Sequence, residues 1–356
     1  MADYHFNKTK TVAIADAEAF EKALYIAAGM EPEDAERVGV ILVEADARGV
    51  YSHGIQRNHV YLERFERGGN DPKAKPEIVR QFGATALIDA HNCMGMISCE
   101  FGMKLAIDIA RKYGTSAVSI TGSNHFGTCA HYLKMATDAG MIGFMWTQNS
   151  VNIMAPWGGT ERQLGNNPFG IGAPCKTKAP VIMDMATSVV ARGKIVMAKK
   201  TNTPIPDTWA LDVNGNRTTD PQAAYLGTVQ PYATYKGYCQ TLMNAIISAI
   251  LNQSAFGPDV IDLYEETDKI QNAGHLIQCI DINAIDDLDS FLERMDQAVD
   301  YIKSGKKADG VSEILVPGEA SARRWARARL EGISYPVEVI EEANGLAEKY
   351  GIKERL

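Results

Sequence analysis

The stretch ATALIDAHNCMGMISCEFGMKLAIDIARKYGTSAVSIT, residues 84–121, carries the clearest fold pattern of the chain. Its two ends, residues 84–89 and 116–121, are short apolar runs of the kind that form buried strands. Between them, residues 96–113 place apolar side chains at helical spacing. Strand, long helix and strand in this order indicate an α/β domain, and the alternation alone favours a parallel sheet.

The same texture extends over residues 76–285, which we predict to form one α/β domain. Residues 142–147 and 181–185 predict further strands, and residues 129–139 a further helix. Residues 1–75 and 286–356 instead show amphipathic helical patterns. The simplest organisation packs the C-terminal helical segment against the N-terminal one, beside the sheet domain.

The composition excludes several classes of protein. The chain has 356 residues, of which 46% are hydrophobic and 22% charged, so it is not largely disordered. Its 36 basic and 44 acidic residues give a net charge of −8, without the basic surplus of a nucleic-acid-binding protein. The longest apolar stretch, residues 242–251, is shorter than the length of about 18 residues that a membrane helix needs, and predicts a core helix.

The cysteines and the N-terminal sequence suggest where the protein works. Six cysteines without a CxxC pair are typical of a reducing compartment, and the first residues lack the apolar core of a signal peptide. We therefore expect a soluble, cytoplasmic protein that binds neither a membrane nor a nucleic acid.

Common nucleotide and hydrolase motifs are absent from the sequence. A GxGxxG turn marks a Rossmann dinucleotide site, but after Gly170 and Gly172 the third position holds Cys175. The chain also lacks a GxxxxGK[ST] phosphate loop, an HExxH zinc motif and a GxSxG nucleophile elbow. No two histidines stand four residues apart, so no metal site is predicted.

The first chemical cluster is SHGIQR, residues 52–57. A helix that starts at Ser52 would place His53 and Arg57 one turn apart on a single face, which Tyr61 continues. Arg57 then holds a substrate carboxylate by paired hydrogen bonds while His53 exchanges a proton, because the usual pKa of histidine, about 6.5, lies near neutral pH. The alternative is structural, a helix-capping serine followed by two solvated side chains.

The second cluster, TGSNHFG at residues 121–127, follows a predicted strand. Ligand sites of α/β proteins concentrate at such strand ends. Asn124, His125 and nearby amides are therefore candidates to hold a nicotinamide or a substrate oxygen. A turn with a hydrogen-bonded histidine is the alternative.

The third cluster is the glycine-rich stretch at 158–174, followed by VIMDMATS at 181–188. Its glycines and an internal Asn-Pro pair predict irregular backbone that approaches a ligand closely. Asp184, Thr187 and Ser188 are expected to end a strand and open a helix whose free amides suit a phosphate. A capped helix start without a ligand is the alternative.

Two weaker signals point to a nucleotide. Lys236 beside Gly237 suits a phosphate, and Glu319 in a Pro-Gly-Glu turn suits a ribose hydroxyl. A surface lysine and an ordinary turn are the alternatives.

These segments stand in an order that resembles the malate/L-lactate dehydrogenase family of NAD(P)-dependent 2-hydroxyacid oxidoreductases, which also includes ureidoglycolate, L-sulfolactate and diketogulonate enzymes and cyclic-imine reductases. The combination of SHG, NHFG and DMATS is specific, and the residues at 257–266 are the part that does not match the family pattern clearly. The matching motifs span nearly the whole chain and are DARGVYSHGIQR, SNHFG, GNNPFG, MDMATS with ARGK after it, TYKGY, GH at 274–275 and VPGE.

The resemblance implies a fold and an assembly. The implied nucleotide domain is non-Rossmann, with a mixed, largely antiparallel sheet, and this replaces the parallel sheet expected from the alternation alone. The N- and C-terminal segments form a helical domain. The family also implies a homodimer with active sites near the subunit interface, and NAD(H) or NADP(H) as cofactor, with NAD(H) slightly favoured.

The resemblance further assigns roles to single residues. His53 is the implied acid/base and His125 the second candidate, while Asp184 is implied to orient a histidine or a bound water. Ser52 and Arg57 match the substrate-binding positions. The implied cofactor-binding residues are Asn124, Gly127, Met183, Asp184, Met185, Ala186, Thr187, Ser188, Val189, Lys236, Gly237, Pro317, Gly318 and Glu319.

The resulting prediction is reversible hydride transfer between the cofactor and C2 of a 2-hydroxy or 2-keto acid, with malate/oxaloacetate as first choice and L-lactate, ureidoglycolate or sulfolactate open. In the reducing direction, a protonated His53 donates to the keto oxygen. One rival is a nucleotide-binding protein that has lost activity. The other is a metal-dependent hydrolase or lyase that would use His53, His125, His131 and Asp184.

Overall fold

A computed structural model describes residues 8–148 and 151–356 of the chain. The strands are β1 (Thr9–Val12), β2 (Glu77–Phe82), β3 (Thr85–Asp89), β4 (Ala117–Ser123), β5 (Met141–Thr147), β6 (Phe169–Ala173), β7 (Val181–Met185), β8 (Ala210–Leu211), β9 (Thr228–Val229), β10 (Ala273–Asp281) and β11 (Ile333–Pro336). The α-helices are α1 (Ile14–Ala27), α2 (Pro32–Ala47), α3 (Asn58–Arg67), α4 (Gly95–Tyr113), α5 (Cys129–Asp138), α6 (Arg192–Thr201), α7 (Pro221–Leu226), α8 (Tyr235–Ser248), α9 (Leu288–Lys303), α10 (Glu319–Glu331) and α11 (Val337–Tyr350).

The main sheet has seven strands in the order β2-β3-β4-β10-β5-β6-β7. Only β3 and β4 are parallel neighbours, with Thr85 opposite Ala117 and Asp89 opposite Thr121. Every other neighbouring pair in this sheet is antiparallel. The parallel pair needs a crossover, which α4 provides. The parallel sheet suggested by the alternation of strands and helices was therefore wrong, and the mixed, largely antiparallel sheet implied by the resemblance is confirmed.

The glycines of the third cluster serve packing as well as turns. Helix α5 lies on β5 and β6, and a Cβ on Gly170 would come within 2.6 Å of Leu133 in that helix. Gly172 faces the same helix, so both glycines let it approach the sheet closely. The prediction of irregular backbone was wrong for residues 169–173, because they form the regular strand β6.

The N- and C-terminal segments meet in a small antiparallel sheet. Strand β1 pairs with β11, placing Thr9 opposite Pro336 and Val12 opposite Ile333. Helix α1 contacts α11, and α2 contacts α10. Helix α9 instead holds the turn between β6 and β7, because the carboxylate of Asp296 accepts hydrogen bonds from the amides of residues 176 and 177. The domain limits at residues 75 and 285 stay a prediction.

Two hydrophobic cores organise the described residues. The larger one joins the terminal helices to the sheet and includes Phe20, Leu42 and Ile120. The smaller one lies around α6, β8 and β9 and includes Ile195 and Val229.

The apolar run at residues 242–251 departs from its prediction. Helix α8 ends at Ser248, and Met243, Ile246, Ile250 and Leu251 are exposed by 50%, 36%, 49% and 66%. The prediction of a core helix was therefore wrong for this face of α8. No helix within residues 8–148 and 151–356 is long and apolar enough to cross a membrane.

Candidate active site

The SHGIQR segment is built differently from the continuous helix that its spacing predicts. Tyr51–His53 and Ile55–Arg57 are two short 3-10 helices, and Gly54 between them is extended. The α-helix begins only at Asn58. A Cβ on Gly54 would lie 1.8 Å from Oδ1 of Asp46, and the amide of Ile55 donates to Oδ2 of the same carboxyl group. The helix start at Ser52 was therefore wrong, because Asp46 of α2 holds the chain in a bend.

Despite the bend, Ser52, His53 and Arg57 remain together. The Oγ atom of Ser52 lies 2.9 Å from Nδ1 of His53. The Nε–H group of Arg57 donates to the carbonyl oxygen of Ser52 at 2.5 Å. The guanidinium carbon of Arg57 lies 5.1 Å from the centre of the Tyr264 ring. Within the described residues, the two terminal nitrogens of Arg57 make no hydrogen bond. They are therefore a pair of parallel donors that suits a carboxylate.

The TGSNHFG segment brings the second histidine to the first. It leaves the sheet at the end of β4, and the rings of His53 and His125 stack with their centres 5.5 Å apart and an angle of 28°. The hydroxyl group of Tyr61 lies 2.6 Å from Nδ1 of His125, and the amide of Gly127 donates to the same nitrogen at 3.4 Å. Because an amide can only donate, Nδ1 carries no proton in this arrangement and Nε2 does.

Both histidines are held in the neutral form. Burial lowers the pKa of His53 to about 3, and the guanidinium of Arg57 lowers it further. Burial also lowers the pKa of His125 well below its usual value, with added effects of His53 and Arg57. Both imidazoles are therefore uncharged near neutral pH, and Nδ1 of His125 is already engaged by Tyr61. The lowered pKa of His53 therefore does not favour the protonated form of the sequence prediction.

Three residues of this site were not singled out as site residues from the sequence. Tyr61 contacts His125, Tyr264 covers Arg57, and Oε1 of Gln271 accepts a hydrogen bond from the amide of His125 at 3.2 Å. Tyr61 had a weak signal, its helical spacing from Arg57. The other two lie far along the chain, and no local pattern marks them.

The predicted cofactor segments around β7 come together although they are distant in sequence. The amide of Thr187 donates to the carbonyl oxygen of Asn166, and the amide of Tyr232 donates to the carbonyl oxygen of Thr187. The amide of Ile182 donates to the carbonyl oxygen of Pro317. The stretch at 183–189 therefore lies between the GNNPFG segment, the start of α8 and the VPGE turn.

The helix expected after MDMATS begins later than predicted. Helix α6 starts at Arg192, with Ala191 as its N-cap, so Thr187 and Ser188 do not cap it. The Oγ atom of Ser188 instead donates to the carbonyl oxygen of Val190 within the loop. The predicted helix start was therefore wrong, and a phosphate contact of residues 184–188 stays a prediction.

The start of α8 carries the other predicted phosphate contacts. Lys236 is exposed in its first turn, and buried Gly237 packs on the carbonyl oxygen of Tyr232, which a Cβ would approach to 2.2 Å. Ala233 and Thr234 just before the helix have positive φ values of 46° and 62°, although neither is glycine. Such strained backbone is typical of functional sites, and a helix start with a lysine suits a phosphate, although the amide of Gly237 itself donates to the carbonyl oxygen of Tyr232.

Three predicted site residues have structural partners. The amide of Ala130 at the start of α5 donates to Asp184, which makes no hydrogen bond to a histidine within the described ranges. The side-chain nitrogen of Asn124 donates to the carbonyl oxygen of Cys93. The carboxylate of Glu319 accepts from Lys303 at 2.6 Å. These contacts do not support Asp184 as a histidine partner or Glu319 as a free ribose acceptor.

The comparison with known proteins decides the family. The profile of the malate/L-lactate dehydrogenase family matches residues 12–344, nearly the whole chain. The chain belongs to the malate/L-lactate dehydrogenase family.

Several relatives of this family align over almost their full length. A malate dehydrogenase from Pyrococcus horikoshii is 35% identical over 91% of this chain and 91% of its own. A ureidoglycolate dehydrogenase (NAD(+)) from Escherichia coli O157:H7 is 33% identical over 86% of this chain and 87% of its own. A (2R)-3-sulfolactate dehydrogenase (NADP(+)) from Chromohalobacter salexigens is 31% identical over 95% of this chain and 98% of its own.

Solved structures of the family share the fold. The malate dehydrogenase of Entamoeba histolytica superposes with a TM-score of 0.91 at 28% identity, covering 97% of this chain and 99% of its own. Within the described residues, no group of three or more His, Cys, Asp or Glu side chains is arranged to hold a metal ion. His131 pairs with Glu44 and Asp184 binds α5, so the four residues of the metal-dependent rival do not form one site.

Proposed function

We propose that the chain is an NAD(P)-dependent dehydrogenase that interconverts a 2-hydroxy acid and the corresponding 2-keto acid. Malate and oxaloacetate are our first choice of substrates. The observation that carries this proposal is the cluster in which Arg57 and the stacked imidazoles of His53 and His125 meet. Membership of the malate/L-lactate dehydrogenase family supports it.

Arg57 binds the C1 carboxylate of the substrate. Its Nε–H group is engaged by the carbonyl oxygen of Ser52, which fixes the plane of the guanidinium. The two terminal nitrogens then offer parallel hydrogen bonds to the two carboxylate oxygens. This contact orients C2 of the substrate relative to the imidazole of His53.

His53 exchanges the proton of the C2 oxygen. Its Nδ1 atom faces the Oγ atom of Ser52, so Nε2 is the nitrogen left for the substrate. In the oxidative direction, neutral His53 accepts the hydroxyl proton. Since Arg57 is one cause of the lowered pKa of His53, a bound carboxylate weakens that effect and favours the imidazolium needed in the reductive direction. His125 is the second candidate for this role.

The nicotinamide cofactor supplies the hydride chemistry when bound. The residues that would hold it are the stretch at 183–189, Lys236 with Gly237, and the backbone of the turn at 317–319. Their fit rests on the strained backbone of Ala233 and Thr234 before the amides and the exposed lysine that open α8. Either NAD(H) or NADP(H) is the cofactor, with NAD(H) as our first choice.

A substrate and cofactor screen tests this function. The purified chain is mixed with NADH or NADPH and a panel of oxaloacetate, pyruvate, sulfopyruvate and the 2-keto acid of ureidoglycolate, and loss of absorbance in the reduced nicotinamide band is followed. We expect turnover with at least one acid, fastest with oxaloacetate. Absence of turnover with every pair, in protein shown to be folded, contradicts the proposal. If another 2-keto acid is reduced faster than oxaloacetate, that acid takes the place of oxaloacetate as the proposed substrate.

We further propose that the chain is a homodimer. The exposed apolar side chains of Met243, Ile246, Ile250 and Leu251 on and just after α8 form a face suited to a second copy. Sedimentation velocity of the wild type and of Ile250→Asp tests this, with a shift from dimer to monomer expected. A wild-type chain that sediments as a monomer contradicts it.

We also propose a cytoplasmic location. All six cysteines are free thiols in the structure, as in proteins of reducing compartments. Cell fractionation with an antibody against the chain tests this location.

A further inference from the structure

Residues 260–272 overlap the part of the chain that does not match the family pattern clearly, residues 257–266, and their role is still unassigned. They contain neither helix nor strand, and lie between a 3-10 helix ending at Asp259 and the start of β10 at Ala273. A segment of this length without regular structure is uncommon in a compact domain and often has a functional role. We call residues 260–272 the strap.

The strap is fastened to α3 by a buried arginine. Arg64 is 0% exposed, and its guanidinium donates to the carbonyl oxygens of Leu263, Glu266 and Lys269 in the strap. A Cβ on Gly69 would lie 2.1 Å from the carbonyl oxygen of Thr267, so the strap lies directly on the end of α3. A buried guanidinium that binds three backbone carbonyls gives the strap a defined position.

The strap contacts the candidate active site at two places, the loop that carries His125 and the side chain of Arg57. At its end, Gln271 accepts a hydrogen bond from the amide of His125, and Oδ1 of Asn272 accepts one from the amide of Gly122. Near its start, the ring of Tyr264 lies over the guanidinium of Arg57 at 5.1 Å. Tyr264 is 45% exposed, so the buried core does not account for its position.

We propose that Tyr264 is a positioning residue for substrate recognition, which holds the guanidinium of Arg57 in the plane that receives the substrate carboxylate. The carbonyl oxygen of Ser52 fixes the Nε side of the group, and its guanidinium carbon lies over the Tyr264 ring at 5.1 Å from the ring centre. Together they leave the in-plane terminal nitrogens for the ligand. This proposal rests on the proposed function, because Arg57 is taken to bind the C1 carboxylate.

The test compares Tyr264→Ala, Tyr264→Phe and the matched control Tyr301→Ala. Tyr301 is an 81% exposed tyrosine on α9. We expect Tyr264→Ala to raise KM for the 2-keto acid by about three- to thirtyfold, since cation–π contacts contribute on that order, with kcat and KM for the cofactor within about threefold. Tyr264→Phe keeps the ring and restores KM, and Tyr301→Ala leaves it unchanged.

A double-mutant cycle shows whether Tyr264 acts through Arg57. In the background of Arg57→Lys, which removes the planar group, Tyr264→Ala is expected to add less than about twofold to KM. Equilibrium binding of oxalate, a dicarboxylate probe, is measured by calorimetry for the same variants and is expected to weaken in parallel.

The outcomes separate this proposal from the proposed function. A wild type that turns over a 2-keto acid, with unchanged KM and oxalate affinity in Tyr264→Ala, overturns the role of Tyr264 and leaves the function intact. If Tyr264→Ala raises KM by the same factor in the Arg57→Lys background as in the wild type, the role of Tyr264 is also overturned. A wild type that neither turns over any 2-keto acid nor binds oxalate overturns both proposals, whereas oxalate binding that weakens in Tyr264→Ala without turnover supports only the role of Tyr264.

Discussion

The hydroxyl oxygen of Tyr61 lies 2.6 Å from Nδ1 of His125 and links helix α3 to the loop after β4. Burial raises the pKa of Tyr61 well above its usual value, so the phenol stays protonated and donates a hydrogen bond to the imidazole nitrogen. This contact fixes the tautomer and the ring orientation of His125, whose ring stacks on His53.

Tyr61→Phe removes this hydrogen bond and is expected to lower kcat by up to about tenfold, because one hydrogen bond contributes about 0.5–1.5 kcal/mol. The measurement is the pH dependence of kcat, whose acid limb should also shift. Tyr350→Phe, which alters a surface phenol bonded to Glu66, serves as the control and should match the wild type. An unchanged profile in Tyr61→Phe shows that His125 does not take part in proton transfer.

Replacing each histidine in turn shows which one exchanges the substrate proton. His53→Ala is expected to lose at least about a hundredfold in kcat, because general acid/base catalysis contributes about 10²–10⁴-fold, while the affinity for the cofactor stays nearly intact. The cofactor affinity is measured by fluorescence titration with NADH. Full activity in His53→Ala, or a larger loss in His125→Ala, transfers the role to His125.

Asp46 is expected to maintain the bend that brings His53 and Arg57 together. Its Oδ2 atom accepts hydrogen bonds from the amide of Ile55 at 3.0 Å and from the hydroxyl group of Tyr335 at 3.1 Å. Asp46→Ala leaves both buried donors without a partner and should lower the free energy of unfolding by about 2–4 kcal/mol. Asp46→Asn keeps an acceptor oxygen and should cost clearly less. Urea denaturation of both variants measures this, and equal losses would argue against the hydrogen-bonding role.

Glu21 should make the protein less stable as the pH rises. Its carboxyl group is fully buried, accepts a hydrogen bond from Asn58 at 2.7 Å and has one oxygen without a partner. Burial raises its pKa from 4.5 to about 8, and Asp46 adds to this effect. The folded chain thus holds a proton that the unfolded chain releases above about pH 4.5, so this contribution is full below that pH and declines up to about pH 8.

Glu21→Gln cannot ionise, so its free energy of unfolding should decline less between pH 5 and 9 than that of the wild type, by at least about 1 kcal/mol. Some decline remains, because burial also raises the pKa of Asp46 to about 8. The exposed control Glu338→Gln should follow the wild type. Urea denaturation across this pH range measures the slopes, and a slope in Glu21→Gln equal to that of the wild type contradicts the explanation.

The sequence by itself determined the local elements and the family. Strand β7 has the predicted bounds, and α4 begins one residue before the prediction. These elements follow from the periodicity of apolar residues, which reports which face of a short segment is buried. The motifs around His53, His125 and Asp184 sufficed to indicate the family because their order along the chain is preserved.

Only the tertiary structure decided how these motifs meet. The bend at Gly54 depends on Asp46, which also bonds to Tyr335 near the other end of the chain. Asp184 caps α5, and Tyr264 reaches Arg57 from more than half the chain away. No local pattern encodes such contacts, because they depend on which elements pack together and on which buried polar groups then need a partner. The spacing of apolar residues likewise could not show that one apolar face of α8 is exposed. This spacing shows that a helix has an apolar face, but not whether another element packs on that face.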